Sequence, residues 1–380
     1  MKLTLIVLGF IFTLFSFLPF IKSPQWWIRV LDFPRLHIAI ILTAILIAYV
    51  GTYGFGDTSE KAMLALWLVA IINEVRYVFR FTPVAKVEAF KSDQKHPANA
   101  FTLMIANVRM VNKKHQKFKE LVLREKPDML IMNEPDEAWH ESVRKEFDAR
   151  YPYSIKKPLD NTYGMMFWSK FRLHQSEIRF LVEDDVPSFY TVVELPSGRM
   201  FDLFTVHPQP PRLMRNTETR EAELLIVAKQ AKETSLPSIV AGDLNDVAWS
   251  STTKLFKKIS GMLDPRVGRG FFNTYNAQIP FFRYPLDHVF YDPEFRLLSL
   301  RRLSKFGSDH FPILISLNYE PLKEDEQEPP KADKEDKEEA QELIQEGLEK
   351  GEERNQEKIE NGEQMPAAQA EKNPLGKRAG

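Results

Sequence analysis

Residues 242–245, with the sequence Gly-Asp-Leu-Asn, place a carboxylate and a carboxamide one residue apart. They follow the short apolar run 238–241, which is typical of a buried strand. Side chains two positions apart on an extended strand share a face, so Asp243 and Asn245 are expected to project together from a sheet edge. The carboxylate can take a proton or hold a metal-bound water, and the carboxamide can donate to a phosphoryl oxygen. Gly, Asp and Asn are also ordinary turn residues, so this stretch alone does not distinguish a site from a turn.

The same arrangement recurs along the chain, where a polar residue follows or introduces an apolar run with strand character. The members of this set are Asn107, Glu134, His207, Asp243, Asn245, Asp287, Asp309 and His310. Each of them alone is most often a turn or cap residue. Together they predict one polar edge of a core, with groups suited to acid–base chemistry and oxygen ligands suited to a hard cation such as Mg²⁺.

Strands and helices alternate in the region that carries these residues. Apolar runs predict strands at 101–106, 129–132, 165–168, 178–182, 190–195, 200–206, 238–241, 289–291 and 311–317. Helical spacing predicts helices at 113–125, around Trp139 to Phe147, at 215–233 and near 251–259. Pro196-Ser197-Gly198 predicts a hairpin turn. This mixture indicates two sheets packed together with helices outside.

Composition narrows the chemistry further. The chain has no cysteine, which excludes disulfides, thiolate metal sites and a cysteine nucleophile. The formal net charge is −1, and basic and acidic residues are close to balance between residues 101 and 320. A dedicated nucleic-acid binder often has a marked excess of Lys and Arg, so the composition does not select that class.

Three apolar runs near the N-terminus, at 3–21, 37–53 and 63–81, predict transmembrane helices. Asn73, Glu74 and Arg76 interrupt the third run. No small-residue cleavage site follows the first run, so we expect a multi-pass membrane protein rather than a secreted one. Three crossings place one basic group on the same side, comprising Lys22, Arg29, Arg35, Arg76, Arg80, Lys86 and Lys91, against Lys2 and Lys61 on the other. The positive-inside rule then predicts that the globular region faces the cytoplasm.

These patterns divide the chain into segments. Residues 1–82 form a predicted membrane domain, 83–98 a linker, and 99–320 a globular catalytic domain. Residues 321–380 are rich in Glu, Lys and Gln with few apolar residues. We expect this last segment to be a disordered tail, dispensable for chemistry, with transient helical potential at 337–358.

The ordered set of polar residues, with Gly-Asp-Leu-Asn at 242–245 and Ser-Asp-His at 308–310, resembles the endonuclease/exonuclease/phosphatase superfamily. That group includes deoxyribonuclease-like and abasic-site nucleases, neutral sphingomyelinases and inositol-polyphosphate 5-phosphatases. The resemblance covers about residues 101–317 and is greatest to membrane-attached bacterial members. It implies an α/β fold, a four-layer α/β/β/α sandwich of two mixed sheets.

The resemblance also implies a role for each residue. Glu134 would be the main ligand of Mg²⁺, with Mn²⁺ as an alternative, assisted by Asn107 and Asp309. Asp243 would orient or deprotonate the attacking water, and Asn245 would bind the scissile phosphate. Asp287 would accept a hydrogen bond from His310, which would contact phosphoryl oxygens or act as a base, and His207 would act near the leaving group.

Three positions bear on how far the resemblance extends. Arg109 stands where many nucleases of the family carry an acidic residue, so a second metal ligand there is not expected and a phosphate contact is an alternative. Asn133 stands where Gln is common. Tyr163 precedes a strand, as a phosphate-contacting tyrosine does in nuclease members, although core packing is the more frequent role.

The sequence therefore predicts a membrane-anchored, Mg²⁺-dependent phosphoesterase. The alternatives are an endonuclease or exonuclease acting on DNA or RNA, and a non-catalytic membrane scaffold that has kept the fold. The expected partners are the lipid bilayer and a phosphoester substrate, either a phospholipid headgroup, an inositol phosphate or nucleic acid, with no obligate protein partner.

Overall fold

The computed structural model of the protein describes residues 1–93, 96–211 and 215–361. Internal contacts divide the chain into two compact units. One consists of Met1–Lys86, Pro211–Thr217 and Arg266–Phe271, and the other of Val87–Pro210, Glu218–Pro265 and Phe272–Gly380. Residues 94–95 of the predicted linker and 362–380 of the predicted tail lie outside the described residues.

The N-terminal unit is helical. Its helices are α1 (Lys2–Phe17), the short α2 (Trp26–Arg29), α3 (Arg35–Tyr53) and α4 (Thr58–Phe79). Three segments of the described chain are long and apolar enough to cross a membrane, namely Lys2–Phe20, Arg35–Tyr53 and Thr58–Phe79. These are the three segments that hydropathy predicts.

Two of the polar residues that interrupt the apolar run of α4, Asn73 and Glu74, are paired with neighbouring helices. The Nδ2 of Asn73 donates to the carbonyl oxygen of Ser16 at 3.3 Å. The carboxylate of Glu74 lies 3.4 Å from Nη1 of Arg35, and the same guanidinium pairs with Asp32. Because ionisable groups are costly inside a bilayer unless they are paired, this arrangement makes an otherwise interrupted helix compatible with lipid.

The second unit contains all the strands of the described chain. In chain order they are β1 (Ala100–Asn107), β2 (Met129–Asn133), β3 (Tyr153–Lys157), β4 (Met165–Ser169), β5 (Arg172–Arg179), β6 (Ser188–Glu194), β7 (Met200–Val206), β8 (Ser238–Asp243), β9 (Asp287–Tyr291), β10 (Phe295–Arg302) and β11 (Ile313–Tyr319). They form a six-stranded sheet in the order β10-β11-β1-β2-β4-β3 and a five-stranded sheet in the order β5-β6-β7-β8-β9. Both sheets are mixed, because β1 and β2 are parallel in the first, β7 and β8 are parallel in the second, and the other neighbours are antiparallel.

Helices cover the outer faces of the two sheets. They are α5 (His115–Glu125), α6 (Glu137–Arg150), α7 (Glu218–Glu233), α8 (Ser251–Ser260) and α9 (Lys334–Glu360). One apolar cluster joins β1, β2 and β4 to β7, β8 and β9 between the sheets, and there the rings of Phe101 and Phe201 stack with centroids 5.2 Å apart. Separate clusters join the first sheet to α5 and α6, and the second sheet to α7, α8 and α9. The predicted α/β sandwich of two mixed sheets with helices outside is confirmed.

Some elements differ from their sequence patterns. The prediction of a strand at 178–182 is wrong after Arg179, because Leu181 and Val182 leave the sheet edge and pack among the apolar residues that α7 contributes. Strands β3 and β10 were not predicted. In β3 only Ile155 is buried, and β10 contains a bulge between Leu297 and Ser299, so neither shows a clean alternation.

The prediction of a disordered tail is wrong for residues 334–360, which form α9. Asp333 caps the helix, accepting from the N–H of Asp336, whose own side chain accepts from the N–H of Asp333. Ala340 and Ile344 are buried in the cluster of α7. Apolar residues are few in this segment, but those present recur at helical spacing, so they fall on one face and suffice to bury it.

Candidate active site

The polar set meets at one edge of the sandwich because of strand direction. Asn107 is the last residue of β1, and Glu134 directly follows β2, its parallel neighbour. In the second sheet His207 directly follows β7, and Asp243 is the last residue of β8, again a parallel pair. Asp287 begins β9, which runs antiparallel to β8 and therefore starts at the edge where β8 ends.

Asn107 connects the two sheets at this edge. Its Nδ2 donates to Oε1 of Glu134 at 2.8 Å and to Oδ2 of Asp243 at 3.0 Å. Its Oδ1 accepts from the backbone N–H of Arg109 at 2.9 Å, which leaves a lone pair for a further partner. The amide thus holds one carboxylate from each sheet in a fixed position.

Gly242 and Asn245 adopt backbone conformations that few residues tolerate. Gly242 has a φ of 152°, and a Cβ at this position would lie 2.0 Å from the carbonyl oxygen of Val206 on β7. Asn245 has a φ of 51°, a left-handed conformation that asparagine accepts better than most residues. The extended-strand argument for a shared face fails here, because the chain leaves the strand after Asp243. The two residues are joined instead by the Asn245 N–H, which donates to Oδ1 of Asp243 at 3.0 Å.

Asn245 is fixed at three points. Besides that bond, its Nδ2 donates to the carbonyl oxygen of Pro208 at 2.9 Å, and its carbonyl oxygen accepts from Nη1 of Arg220 at 2.7 Å. Nδ2 carries a second hydrogen that a phosphate oxygen can accept. Arg220, on α7, is a buried residue that sequence reasoning did not single out, because nothing in the local pattern links it to position 245.

His310 lies between two buried carboxylates. Its Nδ1 is 2.8 Å from Oδ2 of Asp287, and its Nε2 is 3.5 Å from Oδ2 of Asp243. Asp287 is itself held by Thr274, whose hydroxyl accepts from the Asp287 N–H at 3.1 Å. Burial disfavours the charged imidazolium, but Asp243 and Asp287 outweigh this and raise the pKa of His310 to about 10.

The electrostatics of the acidic residues follow from the same enclosure. Burial raises the pKa of Asp243 to about 6, with His310 opposing the shift and Asp287 adding to it. Burial also raises the pKa of Glu134, which Asn107 and His310 partly offset. Glu134 adopts a φ of 62°, and a strained backbone that holds a carboxylate is typical of functional sites.

The remaining predicted residues lie around this group. Asp309 has Oδ2 3.4 Å from Nε of Arg109, so the arginine faces this carboxylate. Ser308 ties the segment to β1, since its hydroxyl donates to the carbonyl oxygen of Asn107 at 2.8 Å. His207 has Nε2 4.0 Å from Oδ2 of Asp243, and its ring centroid is 5.9 Å from that of Tyr163.

The donor set at Glu134 fits an oxygen-ligated divalent cation. Asp309 adds negative charge beside Glu134, and Asn107 offers a carbonyl oxygen, so hard oxygen donors of the kind that Mg²⁺ prefers are available together. Asp243, Asp287 and His310 also place ligand atoms within 4.8 Å of one another. In that second group the positive charge of the His310 imidazolium already compensates the charge of the carboxylates. The group is therefore better suited to acid–base chemistry than to binding a metal ion.

Comparison with known proteins agrees with this fold. The model of the endonuclease/exonuclease/phosphatase family matches residues 104–310. The chain belongs to the endonuclease/exonuclease/phosphatase family, whose members are metal-dependent hydrolases of phosphoester bonds. No curated protein sequence matches the chain.

Several solved structures are similar to part of the chain. D. rerio TDP2, humanized by 14 mutations, is 17% identical with a TM-score of 0.48, covering 58% of this chain and 99% of its own. The human Nocturnin catalytic domain with bound sulfate anion is 17% identical with a TM-score of 0.48, covering 58% and 94%. A Bacteroides thetaiotaomicron family protein is 16% identical with a TM-score of 0.47, covering 58% and 95%.

Proposed function

We propose that the protein is a membrane-anchored, metal-dependent phosphoesterase that hydrolyses its substrate with an activated water. The observation that carries this proposal is the buried network in which Asn107 bonds both Glu134 and Asp243, and His310 lies between Asp243 and Asp287. This network combines oxygen ligands for a cation with a carboxylate that can act as a base and a protonated imidazole that can donate a hydrogen bond. No covalent nucleophile is required for this chemistry.

Glu134, with Asn107 and Asp309, would hold the cation, for which Mg²⁺ is the first choice and Mn²⁺ the alternative. When bound, the cation supplies charge stabilisation at a phosphoryl oxygen. Because burial brings the pKa of Asp243 to about 6, this carboxylate is charged at neutral pH and yet basic enough to orient a water and take its proton.

The other residues act on the phosphoryl group. His310, kept protonated by its two carboxylates, donates from Nε2 toward a phosphoryl oxygen, while Asp287 fixes the ring through Nδ1. Asn245 offers its second amide hydrogen to another oxygen of the same group. His207, on the loop that Asn245 holds through Pro208, supplies a proton to the leaving oxygen.

One exposed segment favours a lipid-linked phosphoester as substrate. Residues 274–284 fold back on themselves and bond to the site, since the Ala277 N–H donates to the carbonyl oxygen of Asp309 at 2.6 Å. The tip of this segment exposes Ile279 at 48%, Phe281 at 82% and Phe282 at 54%. Apolar tips of this kind suit a lipid surface, and membrane anchoring keeps the site near headgroups. Exposed aromatic rings also stack on bases, so nucleic acid remains the competing substrate.

A substrate screen tests the proposal with the full chain in detergent micelles. The substrates are phospholipid in mixed micelles, inositol phosphates, DNA and RNA, each with and without Mg²⁺. We expect Mg²⁺-dependent hydrolysis of phospholipid that Asp243→Ala and His310→Ala abolish, while Glu137→Gln, an exposed carboxylate change on α6, leaves it intact. Hydrolysis of DNA or RNA, and of no other substrate in the screen, would instead identify the protein as a nuclease. No hydrolysis of any substrate would refute the enzymatic function and favour a non-catalytic membrane scaffold.

We place the catalytic unit on the cytoplasmic side of the inner membrane, because basic residues cluster on the side of the chain that leads into it. An alkaline phosphatase fused after Gly380 tests this, since the reporter is active only when exported. We expect an inactive fusion in cells that make the full-length protein. An active one would reverse the orientation without touching the proposed chemistry.

A further inference from the structure

Helix α9 lies outside the part of the chain that matches the family, which ends at residue 310. It nevertheless packs along α7, the helix that carries Arg220 to the carbonyl oxygen of Asn245. Two glycines make the approach close. A Cβ on Gly347 would lie 2.2 Å from Cβ of Ala222, and one on Gly351 would lie 2.7 Å from the carbonyl oxygen of Val182. The helix therefore docks at backbone distance, which a larger side chain at either position would prevent.

The C-terminal part of α9 surrounds Glu183, a buried carboxylate in the segment between β5 and β6. Nη1 of Arg354 is 3.0 Å from Oε1 of Glu183, and Nζ of Lys358 is 3.0 Å from Oε2. Asn355 adds a bond, since its Oδ1 accepts from the Asp184 N–H at 3.1 Å. Burial alone would raise the pKa of Glu183, but Lys358 and Arg354 outweigh it and lower the pKa, so this carboxylate is charged.

Glu183 also connects α9 to the active-site edge. Its Oε2 accepts from Nε2 of Gln209 at 2.7 Å, and both side chains are buried. Gln209 lies two residues after His207, and Pro208 between them accepts the amide bond of Asn245. A continuous path of hydrogen bonds and ion pairs thus runs from α9 through Glu183 to the loop that holds His207 and Asn245.

We propose that α9 positions the active site, with Arg354 and Lys358 fixing Glu183, and Glu183 fixing Gln209 and the His207 loop. This inference rests on the proposed function. It assigns a role to a segment that has no counterpart in the matched family region. Because a buried carboxylate that loses its cations must rearrange or take a proton, detaching α9 releases Gln209 and lets His207 move from its place near the leaving group.

The leaving group provides the decisive readout. An alkoxide leaves only when a proton reaches it, whereas p-nitrophenolate leaves readily without one. Displacing His207 therefore slows a dialkyl phosphate ester far more than a p-nitrophenyl phosphodiester. A general loss of fold would slow both substrates equally.

The test uses the full chain in detergent with Mg²⁺ and these two substrates. We expect the double variant Arg354→Met/Lys358→Met to lower kcat on the dialkyl ester by about 10-fold or more, less than the roughly 100-fold or more that complete removal of a general acid costs, because His207 is displaced and not removed. On the p-nitrophenyl ester we expect a loss of less than about 2-fold. Gln209→Leu, which leaves the α9 ion pairs intact, should give the same selectivity. Lys350→Met is the control, since Lys350 pairs only with Glu353 on the exposed face of α9 in the described contacts.

Each outcome decides between the proposals. Equal losses on both substrates, or a Gln209→Leu variant that retains wild-type selectivity, would overturn the positioning role while the phosphoesterase assignment stands. Wild-type protein that hydrolyses neither substrate would overturn both. Gly347→Leu provides a second way of detaching α9, and it should reproduce the selectivity of the double variant without changing any charge.

Discussion

Replacing Gly242 with alanine is expected to separate two of the strands that build the active-site edge. A Cβ at this position would lie 2.0 Å from the carbonyl oxygen of Val206, whereas such contacts are essentially never under 3.0 Å. The φ of 152° is also unfavourable for alanine. Strands β7 and β8 must therefore move apart by at least the difference of those two distances, about 1 Å, at the point where β8 presents Asp243.

The size of the effect follows from these two causes. Backbone strain of this kind costs about 1–3 kcal/mol, and weakened hydrogen bonding between β7 and β8 adds about 1–2 kcal/mol. A total of about 2–5 kcal/mol lowers the melting temperature of a domain of this size by about 10 °C. A shift of about 1 Å in Asp243 relative to His310 and Asn107 is expected to lower kcat by about 100-fold.

Thermal unfolding and kcat on a p-nitrophenyl phosphodiester measure both effects in the same detergent. Gly198→Ala is the matched control, because Gly198 also has a positive φ, of 80°, but nothing lies within 4 Å of its Cβ position. The free energy of unfolding of this control should fall by about 1 kcal/mol from backbone strain alone, and its kcat should equal that of the wild type. If Gly242→Ala unfolded at the same temperature as Gly198→Ala and kept wild-type kcat, the close approach of Gly242 to Val206 would not be what positions Asp243.

Glu134→Gln should raise the Mg²⁺ concentration for half-maximal activity by about 100-fold, and an unchanged metal titration would remove Glu134 from the ligands. Burial raises the pKa of Asp292 to about 7. The folded chain thus keeps a proton that the unfolded chain loses near pH 4, and wild-type stability falls as pH rises between these values. Between pH 4 and 8 the free energy of unfolding of Asp292→Asn should rise by about 4 kcal/mol relative to the wild type, measured by denaturant unfolding, and a difference that does not change with pH would contradict the shift. Lys257→Met should cost about 3 kcal/mol, because it removes the Nζ that lies 2.5 Å from Oε1 of the buried Glu88 carboxylate. Adding Glu88→Gln should recover part of that loss.

The convergence of polar side chains at the candidate active-site edge could be predicted because strand ends carry positional information. Asn107 and Glu134 each terminate an apolar run, and parallel neighbours end at the same edge, so local patterns were enough to place them together. The structure brings them to 2.8 Å. At this edge the local inference that failed concerned Asn245, because an extended geometry was assumed beyond Asp243, where the chain turns into a left-handed conformation.

The residues that hold this edge in place could not be predicted, because their bonding partners are distant in sequence. Arg220 bonds the carbonyl oxygen of a residue 25 positions away, and Arg354 pairs with a carboxylate 171 positions away. The helical potential of 337–358 was predicted, but the docking of α9 was not, because the segment is highly charged and its buried face depends on two glycines and a few apolar residues. Only the surfaces of α7 and of the segment between β5 and β6 show what those residues pack against.

The paired charges of the N-terminal unit bear on how the chain enters a membrane. Arg35 on α3 and Glu74 on α4 are almost completely buried, with exposures of 3% and 0%. A lone glutamate within an apolar helix opposes partitioning of that helix into lipid, because an unpaired ionisable side chain is costly there. The two helices are therefore expected to leave the insertion machinery as one hairpin, after their charges have met. Arg35 is then neutralised within the protein, so the orientation of the nascent chain depends on its other basic residues.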